Sequence, residues 1–371
     1  MTPSLLPSGF YDLLPPKAFC EQNAITGLLD LFSRFGYAFV SPPLAEFESS
    51  LLSGRGEALA SQTMRVLDAI SQNMLGIRSD ITLQIARIAS TRMKQATRPL
   101  RLCYAGQILQ TKAENLANER QLTQAGIELI GSESLQADAE VMLIAAEALK
   151  TIGIDAISLD INLPGLLYTL CPEAHDNPEL QKQIKDAILC KDVAGIAGLS
   201  VKNSALLAEL VKASGSVETS LKLLEKCAAK EASQLRSLIE YLTLNCPAIN
   251  LTLDALEYRG FDYHHGISFS LFSPHIRHEI GRGGRYKVGE EPATGFTLYI
   301  THLLPLLPEA ALKPLIVVDK AVNIARLHRL QKDGYRTVYA LTNRVKEEAE
   351  TLQAAYYLTQ TDGEIEKIEK E

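Results

Sequence analysis

Apolar positions along this chain alternate between two periods, and the places where the period changes divide it into parts. After Pro15-Pro16, Ile25, Leu28, Leu29 and Phe32 recur at helical spacing, and Gly36 stands where a left-handed residue ends a helix. Residues 36–40 then read as a short extended segment closed by Pro42-Pro43, because proline cannot donate inside a sheet. Residues 64–78 predict a hairpin. Asp80 precedes a helix carrying Ile81, Ile85 and Ile88 on one face, and residues 100–130 predict two strands around a polar loop at 111–119. Alternation at period two returns at 157–161, 249–253 and 267–271, which together predict an antiparallel sheet.

Between 175 and 246 the pattern turns wholly helical, as in Leu221, Leu224, Cys227 and Ala228 and then Leu235, Leu238, Ile239 and Leu242. Beyond Lys313-Pro314, residues 315–318 read as a buried strand, 322–333 as a helix and 337–341 as another strand. The expected class is therefore α+β. Its parts are a core built from 1–174 and 247–312, a helical insertion at 175–246, and a small α/β unit at 313–371.

A length of 371 residues with 46% hydrophobic composition suits a large core and more than one domain. The net charge of −7 argues against a surface devoted to nucleic acid, which carries a basic face to neutralise phosphates. The mixed-sign run 364–371 reads as a solvated tail. Six cysteines stand far apart without a Cys-x-x-Cys pair, so neither a zinc cluster nor a disulfide framework is indicated. No segment approaches the ~20 apolar residues of a membrane span, and the first residues lack a basic and apolar leader, so the expected location is the cytoplasm.

Several short blocks carry chemistry. Asp80, in Arg78-Ser79-Asp80-Ile81-Thr82, is placed to cap a helix. In residues 120–128, alternation puts Gln124, Gly126 and Glu128 on one face of a strand, either lining a cavity or forming the solvent face of an edge strand. His264-His265 invites a metal reading, but neighbours on a strand point to opposite faces and no carboxylate-histidine helix motif accompanies them. Gly281-Arg282-Gly283-Gly284-Arg285-Tyr286 lacks the Gly-Lys-Ser/Thr ending of a phosphate-binding loop.

Taken in order, these blocks resemble the histidine-pocket signatures of histidyl-tRNA synthetases over residues 5–171 and 248–304. Arg259-Gly260-Phe261-Asp262-Tyr263 resembles the Arg-Gly-Leu-Asp-Tyr-Tyr loop, residues 120–128 the pattern Arg-Gln-Phe-His-Gln-x-Gly-x-Glu, and residues 283–286 the Gly-Gly-Arg-Tyr block, with Lys287 in place of its Asp. The resemblance implies a class II synthetase-like core that binds histidine. It places Asp80, Thr82 and Gln124 at the α-ammonium, Glu128 at the imidazole, Arg259 at the carboxylate and Tyr263 at the ring. His264 stands for a second tyrosine as a hydrogen-bonding wall, and Asp80 is read both as a ligand contact and as a helix cap. Pro43 aligns with the proline of the synthetase dimer interface.

The adenylation half departs from that pattern. Gln110 and Lys112 stand where synthetases carry the arginine and glutamate of motif 2, and Tyr299, Thr301 and His302 stand at the last glycine, glutamate and arginine of motif 3. A planar charged fork supplies the bidentate and stacking contacts of adenylation, and neither Gln nor His replaces it. Retained recognition with lost activation is similar to the family of synthetase paralogues that serve as ATP phosphoribosyltransferase regulatory subunits. That resemblance implies no catalytic residues, no cofactor, no metal, no tRNA and no membrane. It implies a short-form ATP phosphoribosyltransferase catalytic subunit as partner, L-histidine as feedback effector on the first step of histidine biosynthesis, and a homodimer within a larger hetero-oligomer. The rival readings are a divergent histidyl-tRNA synthetase, which would need ATP chemistry without its arginines, and an RNA-binding or kinase-regulating histidine sensor on the same scaffold.

Overall fold

The computed structural model describes residues 5–52, 59–113, 118–175, 177–257, 266–309 and 312–368. The chain folds as two compact units, Met1–Pro308 and Glu309–Glu371. The strands of the first are β1 (Ala38–Phe39), β2 (Ala45–Phe47), β3 (Met64–Leu67), β4 (Met74–Ile77), β5 (Leu100–Leu109), β6 (Gln121–Ile130), β7 (Ser158–Asn162), β8 (Asn250–Asp254), β9 (Ser268–Phe272), β10 (Gly281–Val288) and β11 (Glu291–Tyr299). Eight of them form one sheet in the order β1-β5-β6-β11-β10-β9-β7-β8, while β2, β4 and β3 form a separate antiparallel sheet.

The large sheet is not wholly antiparallel as the alternation suggested, because β1 runs parallel to β5 and β7 parallel to β8. The second pair follows from its connection. The whole helical segment lies between β7 and β8, and a crossover of that length returns the chain to the end from which it started. Those helices, Pro178–Leu189, Val193–Ala197, Ser204–Ala213, Val217–Cys227 and Ala229–Asn245, bury Leu207, Leu221, Leu224, Leu235, Leu238 and Leu242 in the same core cluster as the sheet. Asn177, Asp192 and Ser216 cap three of them by accepting from backbone N–H groups.

The two faces of the large sheet have opposite character. One face presents Ile127, Leu129, Leu159, Ile161, Phe269 and Phe296, and the helices Lys17–Arg34 and Leu135–Thr151 contribute Leu28, Phe32, Val141 and Leu149 to the cluster that covers it. The first of these helices stops at Gly36, whose φ is +82°, with Tyr37 N–H donating to Phe32 O at 3.0 Å and Gly36 N–H to Ser33 O at 3.0 Å. The other face presents Tyr104, Gln124, Glu128, Thr297 and Tyr286, and the helix Thr82–Ser90 packs Ile85 and Ala89 against its apolar members.

The second unit has a four-stranded sheet in the order β13-β12-β14-β15, built from β12 (Leu315–Val318), β13 (Arg336–Tyr339), β14 (Tyr356–Leu358) and β15 (Glu366–Lys367). Here β12 is parallel to both neighbours, and the helices Ile324–Lys332 and Val345–Thr351 pack against it. The first helix starts later than the spacing predicts, because Asn323 accepts from Arg326 N–H and sets its start.

Close backbone approach makes Gly126 a structural requirement of β6. A Cβ there would lie 2.1 Å from Phe296 O and 2.7 Å from Tyr104 Oη. Gly126→Ala is expected to destabilise the unit by about 2 kcal/mol or more, the cost of forcing atoms into a packed interior. Urea unfolding checks it through the transition midpoint.

Candidate functional site

The polar face of the sheet is organised by register. Across β5, β6 and β11, Tyr104 pairs with Gly126 and Gly126 with Thr297, while Leu102 pairs with Glu128 and Glu128 with Gly295. Paired residues share a face, so Tyr104, Gln124, Glu128 and Thr297 project together. β6 is an interior strand, with Gln124 1% and Glu128 2% exposed, which rules out a solvent-facing edge for this block.

Glu128 occupies the middle of the cluster. Tyr286 Oη donates to its Oε2 at 2.7 Å, and Tyr104 Oη donates to Oε1 at 3.4 Å. Tyr104 Oη also lies 2.6 Å from Thr297 Oγ1 and 3.3 Å from Thr82 Oγ1. Gly295 makes the arrangement possible: a Cβ there would fall 1.9 Å from Glu128 Oε2. Burial lifts the Glu128 carboxyl to about 8 against the opposing hydrogen bond from Tyr286, and the nearby Asp80 charge adds to the rise. Burial likewise holds the Tyr104 phenol protonated.

At the other end, Asp80, Thr82 and Gln124 converge. Gln124 Nε2 donates to Asp80 Oδ2 at 3.2 Å and Gln124 Oε1 accepts from Ile81 N–H at 3.1 Å. Asp80 is not the N-cap that its position suggested. The helix begins at Thr82 with Ile81 in the capping position, and Asp80 Oδ1 accepts from Thr82 N–H at 2.7 Å one residue earlier. The carboxylate thus holds the backbone entering the helix while keeping its second oxygen on Gln124. Arg78 anchors this turn from beneath, donating to Gln107 O at 2.7 Å and Pro42 O at 2.9 Å. Arg259, Tyr263 and His264 lie outside the described residues, as does His265.

Sequence reasoning missed Tyr104, Thr297 and the side chain of Tyr286. Within β10 alternation sends Arg285 to the opposite face, where it pairs with Asp138 at 2.7 Å, and turns Tyr286 toward Glu128. That alternation was the readable signal for Tyr286. Tyr104 and Thr297 depend on the register of three strands, which spacing does not reveal.

The substituted positions gather differently. Gln110 is buried, and its Oε1 is without a hydrogen-bond partner, whereas Lys112 is exposed. Tyr299 ends β11 with its ring 5.3 Å from that of His302, and the Arg282 guanidinium lies 5.7 Å from the Tyr299 centroid while pairing with Glu279 at 2.8 Å. His302 stacks edge-on with His278 at 4.4 Å, and its Nδ1 lies 3.1 Å from Glu279 O. Burial pushes the His302 imidazole below its ordinary value, and His278 and Arg282 push the same way. It is a neutral ring, unlike the arginine of the aligned motif.

Residues 9–303 match the protein-family profile described as histidyl-tRNA synthetase. The ATP phosphoribosyltransferase regulatory subunit of Rhodospirillum centenum is 42% identical over 345 residues, covering 91% of this chain and 89% of its own. That of Gluconobacter oxydans is 42% identical over 353 residues, covering 92% of each. Among solved structures, an ATP phosphoribosyltransferase regulatory subunit/histidyl-tRNA synthetase from Bacillus halodurans superposes with a TM-score of 0.80 at 20% identity, over 97% of this chain and 98% of that one. A histidyl-tRNA synthetase from Nostoc sp. superposes with a TM-score of 0.77 at 17% identity, over 95% and 90%. Both share the α+β fold.

The buried carboxyl gives the folded chain a pH signature. With a folded value near 8 and an unfolded value near 4.5, Glu128 is protonated in the folded chain where the unfolded chain has already ionised. Its contribution to stability is whole below about pH 4.5 and is lost progressively as the pH rises to about 8. Glu128→Gln should flatten the decline of melting temperature across that window, and calorimetric scans of both proteins at several pH values measure the difference.

Proposed function

The chain belongs to the histidyl-tRNA synthetase family and, within it, to the ATP phosphoribosyltransferase regulatory subunits, and we propose that its synthetase-like pocket senses histidine for a separate catalytic chain. It is a regulatory subunit of histidine biosynthesis and not itself the catalyst. The observation that carries the sensing role is the buried Glu128, ringed by Tyr104 and Tyr286 and set across from Asp80, Thr82 and Gln124. A free amino acid needs a carboxylate for its ammonium, and an imidazole needs an acceptor or hydroxyl for its ring N–H. This cluster supplies both. Arg259 would take the α-carboxylate, and Tyr263 and His264 would line the ring.

The partner we propose is a short-form ATP phosphoribosyltransferase catalytic subunit, whose reaction opens histidine biosynthesis, with L-histidine as feedback effector. The working location is the cytoplasm; among the described residues no helix is long and apolar enough to cross a membrane. Residues 1–174 and 247–312 would form the histidine-binding core, 175–246 the insertion and 313–371 a small α/β domain. A homodimer within a larger hetero-oligomer is supported by three exposed aromatic residues, Phe19 on the first helix, Phe35 just past its end and Phe39 on β1.

The synthetase alternative fails on chemistry. Losing one preorganised donor typically costs ~10²–10³ in rate; Gln110 and His302 stand in place of two arginines, and Tyr299 puts a ring where the motif has a glycine. The purified protein should therefore show no histidine-dependent pyrophosphate exchange and charge no tRNA. Exchange above background, in an assay validated with an active synthetase, would reverse that assignment.

Feedback further requires that histidine bind the active and inactive assemblies with different affinity, since equal binding shifts no equilibrium. A variant carrying Arg259→Ala and Glu128→Gln should assemble with the catalytic subunit and activate it, yet lose inhibition by histidine. Phosphoribosyltransferase assays on the reconstituted complex decide the matter: inhibition as strong as with the native subunit would place the regulatory site elsewhere.

A further inference from the structure

A single transverse row of directly paired residues crosses the polar face of the sheet from Glu128 through Gly295, Gly284, Ser268 and Asn162 to Asp254. All six share one face. The two glycines leave no side chain between the carboxylate at one end and the polar residues at the other, and the carboxylate already leans over Gly295. Ser268 and Asn162 are 0% exposed and Asp254 6%, yet among the described residues Ser268 Oγ, Asn162 Oδ1 and Asp254 Oδ1 have no hydrogen-bond partner. Their remaining atoms are committed. Asn162 Nδ2 donates to Asp160 Oδ2 at 2.8 Å, which fixes the amide with its oxygen free, and Asp254 Oδ2 accepts from Lys191 and Ser214. Buried polar atoms are almost always paired, so three unpaired oxygens in one row require an explanation.

We propose that Ser268 forms a second wall of the histidine site, its hydroxyl hydrogen-bonding the ring nitrogen on the edge opposite the one that Glu128 reads, with the Asn162 and Asp254 oxygens standing behind it on the next strands. This rests on the assignment of the pocket to histidine made above. The dimensions fit Ser268: an imidazole with a hydrogen bond at each nitrogen spans about 8 Å between acceptors, and the two ladder spacings from β11, over which the Glu128 carboxyl leans, to β9 come to about 9.5 Å between strand axes, which the side chains shorten. The donor chemistry fits as well. Asn162 Oδ1 and Asp254 Oδ1 only accept, and a serine hydroxyl accepts or donates, so the wall suits an N–H. With an acceptor at each edge the pocket selects a ring bearing two nitrogens, a feature that glutamine and asparagine lack.

Ser268→Ala is the direct test, because the hydroxyl bonds nothing among the described residues and its loss should leave the melting temperature nearly unchanged. Calorimetric titration of the full chain is made with histidine and with its two ring-N-methyl isomers. Ser268→Ala should bind histidine about three- to tenfold more weakly, the range of a single hydrogen bond, and should narrow the preference for histidine over one methyl isomer, which gains room where the hydroxyl stood. Ser268→Cys keeps the volume with a poor hydrogen-bonding group and should show the same weakening, which preserves the test if the alanine variant folds badly. Native affinity and unchanged discrimination in both variants, alongside weakened binding in Glu128→Gln, would overturn the second wall while leaving the histidine site in place. A native protein that does not bind histidine would overturn both.

Discussion

Paired residues of a β-ladder must share a face, and in the large sheet this rule separates Ile127, Phe269 and Phe296 from Glu128, Ser268 and Thr297. Everything that positions the site follows from that separation. The apolar face requires cover and takes the helices Lys17–Arg34 and Leu135–Thr151. The opposite face is thereby free to carry buried polar groups on a rigid frame. A register slip of one residue would exchange the two faces and destroy core and site together. The tight fit of Gly126 and Gly295 against neighbouring atoms pins that register.

A carboxyl group in such surroundings is stable only in particular company. An ionised carboxylate without partners is expensive to bury, and Glu128 escapes the cost by remaining protonated and by accepting from two phenols. An arriving cationic ring changes the balance, because a positive charge against the carboxyl favours its ionised form. The pocket therefore couples ligand charge to its own protonation, a property suited to a sensor whose output is a shift between states rather than a chemical step.

The end of β11 carries an aromatic cluster. Tyr299, His302 and His278 stack there, and Arg282 is paired with Glu279. Burial there pushes the His302 imidazole below its ordinary value, against the backbone hydrogen bond with Glu279, which raises it.

Read alone, the sequence determined the kind of fold and singled out Asp80, Thr82, Gln124 and Glu128, which the structure brings onto one face. Periods of two and 3.6 located β5 through β9 and the helical segment, and the blocks around Asp80, Gln124 and Glu128 carried their chemistry openly. Local pattern could do this because alternation and capping are properties of adjacent residues. It did not decide that Asp80 would give its capping oxygen to Thr82 N–H and the other to Gln124, that β7 and β8 would run parallel, or that Tyr104, Thr297 and Tyr286 would converge on Glu128. Nor could it align Ser268 and Asn162 with Glu128 in one row. Most of those outcomes belong to strand order and register, which join residues as far as 193 positions apart. Only the packed structure selects among such pairings.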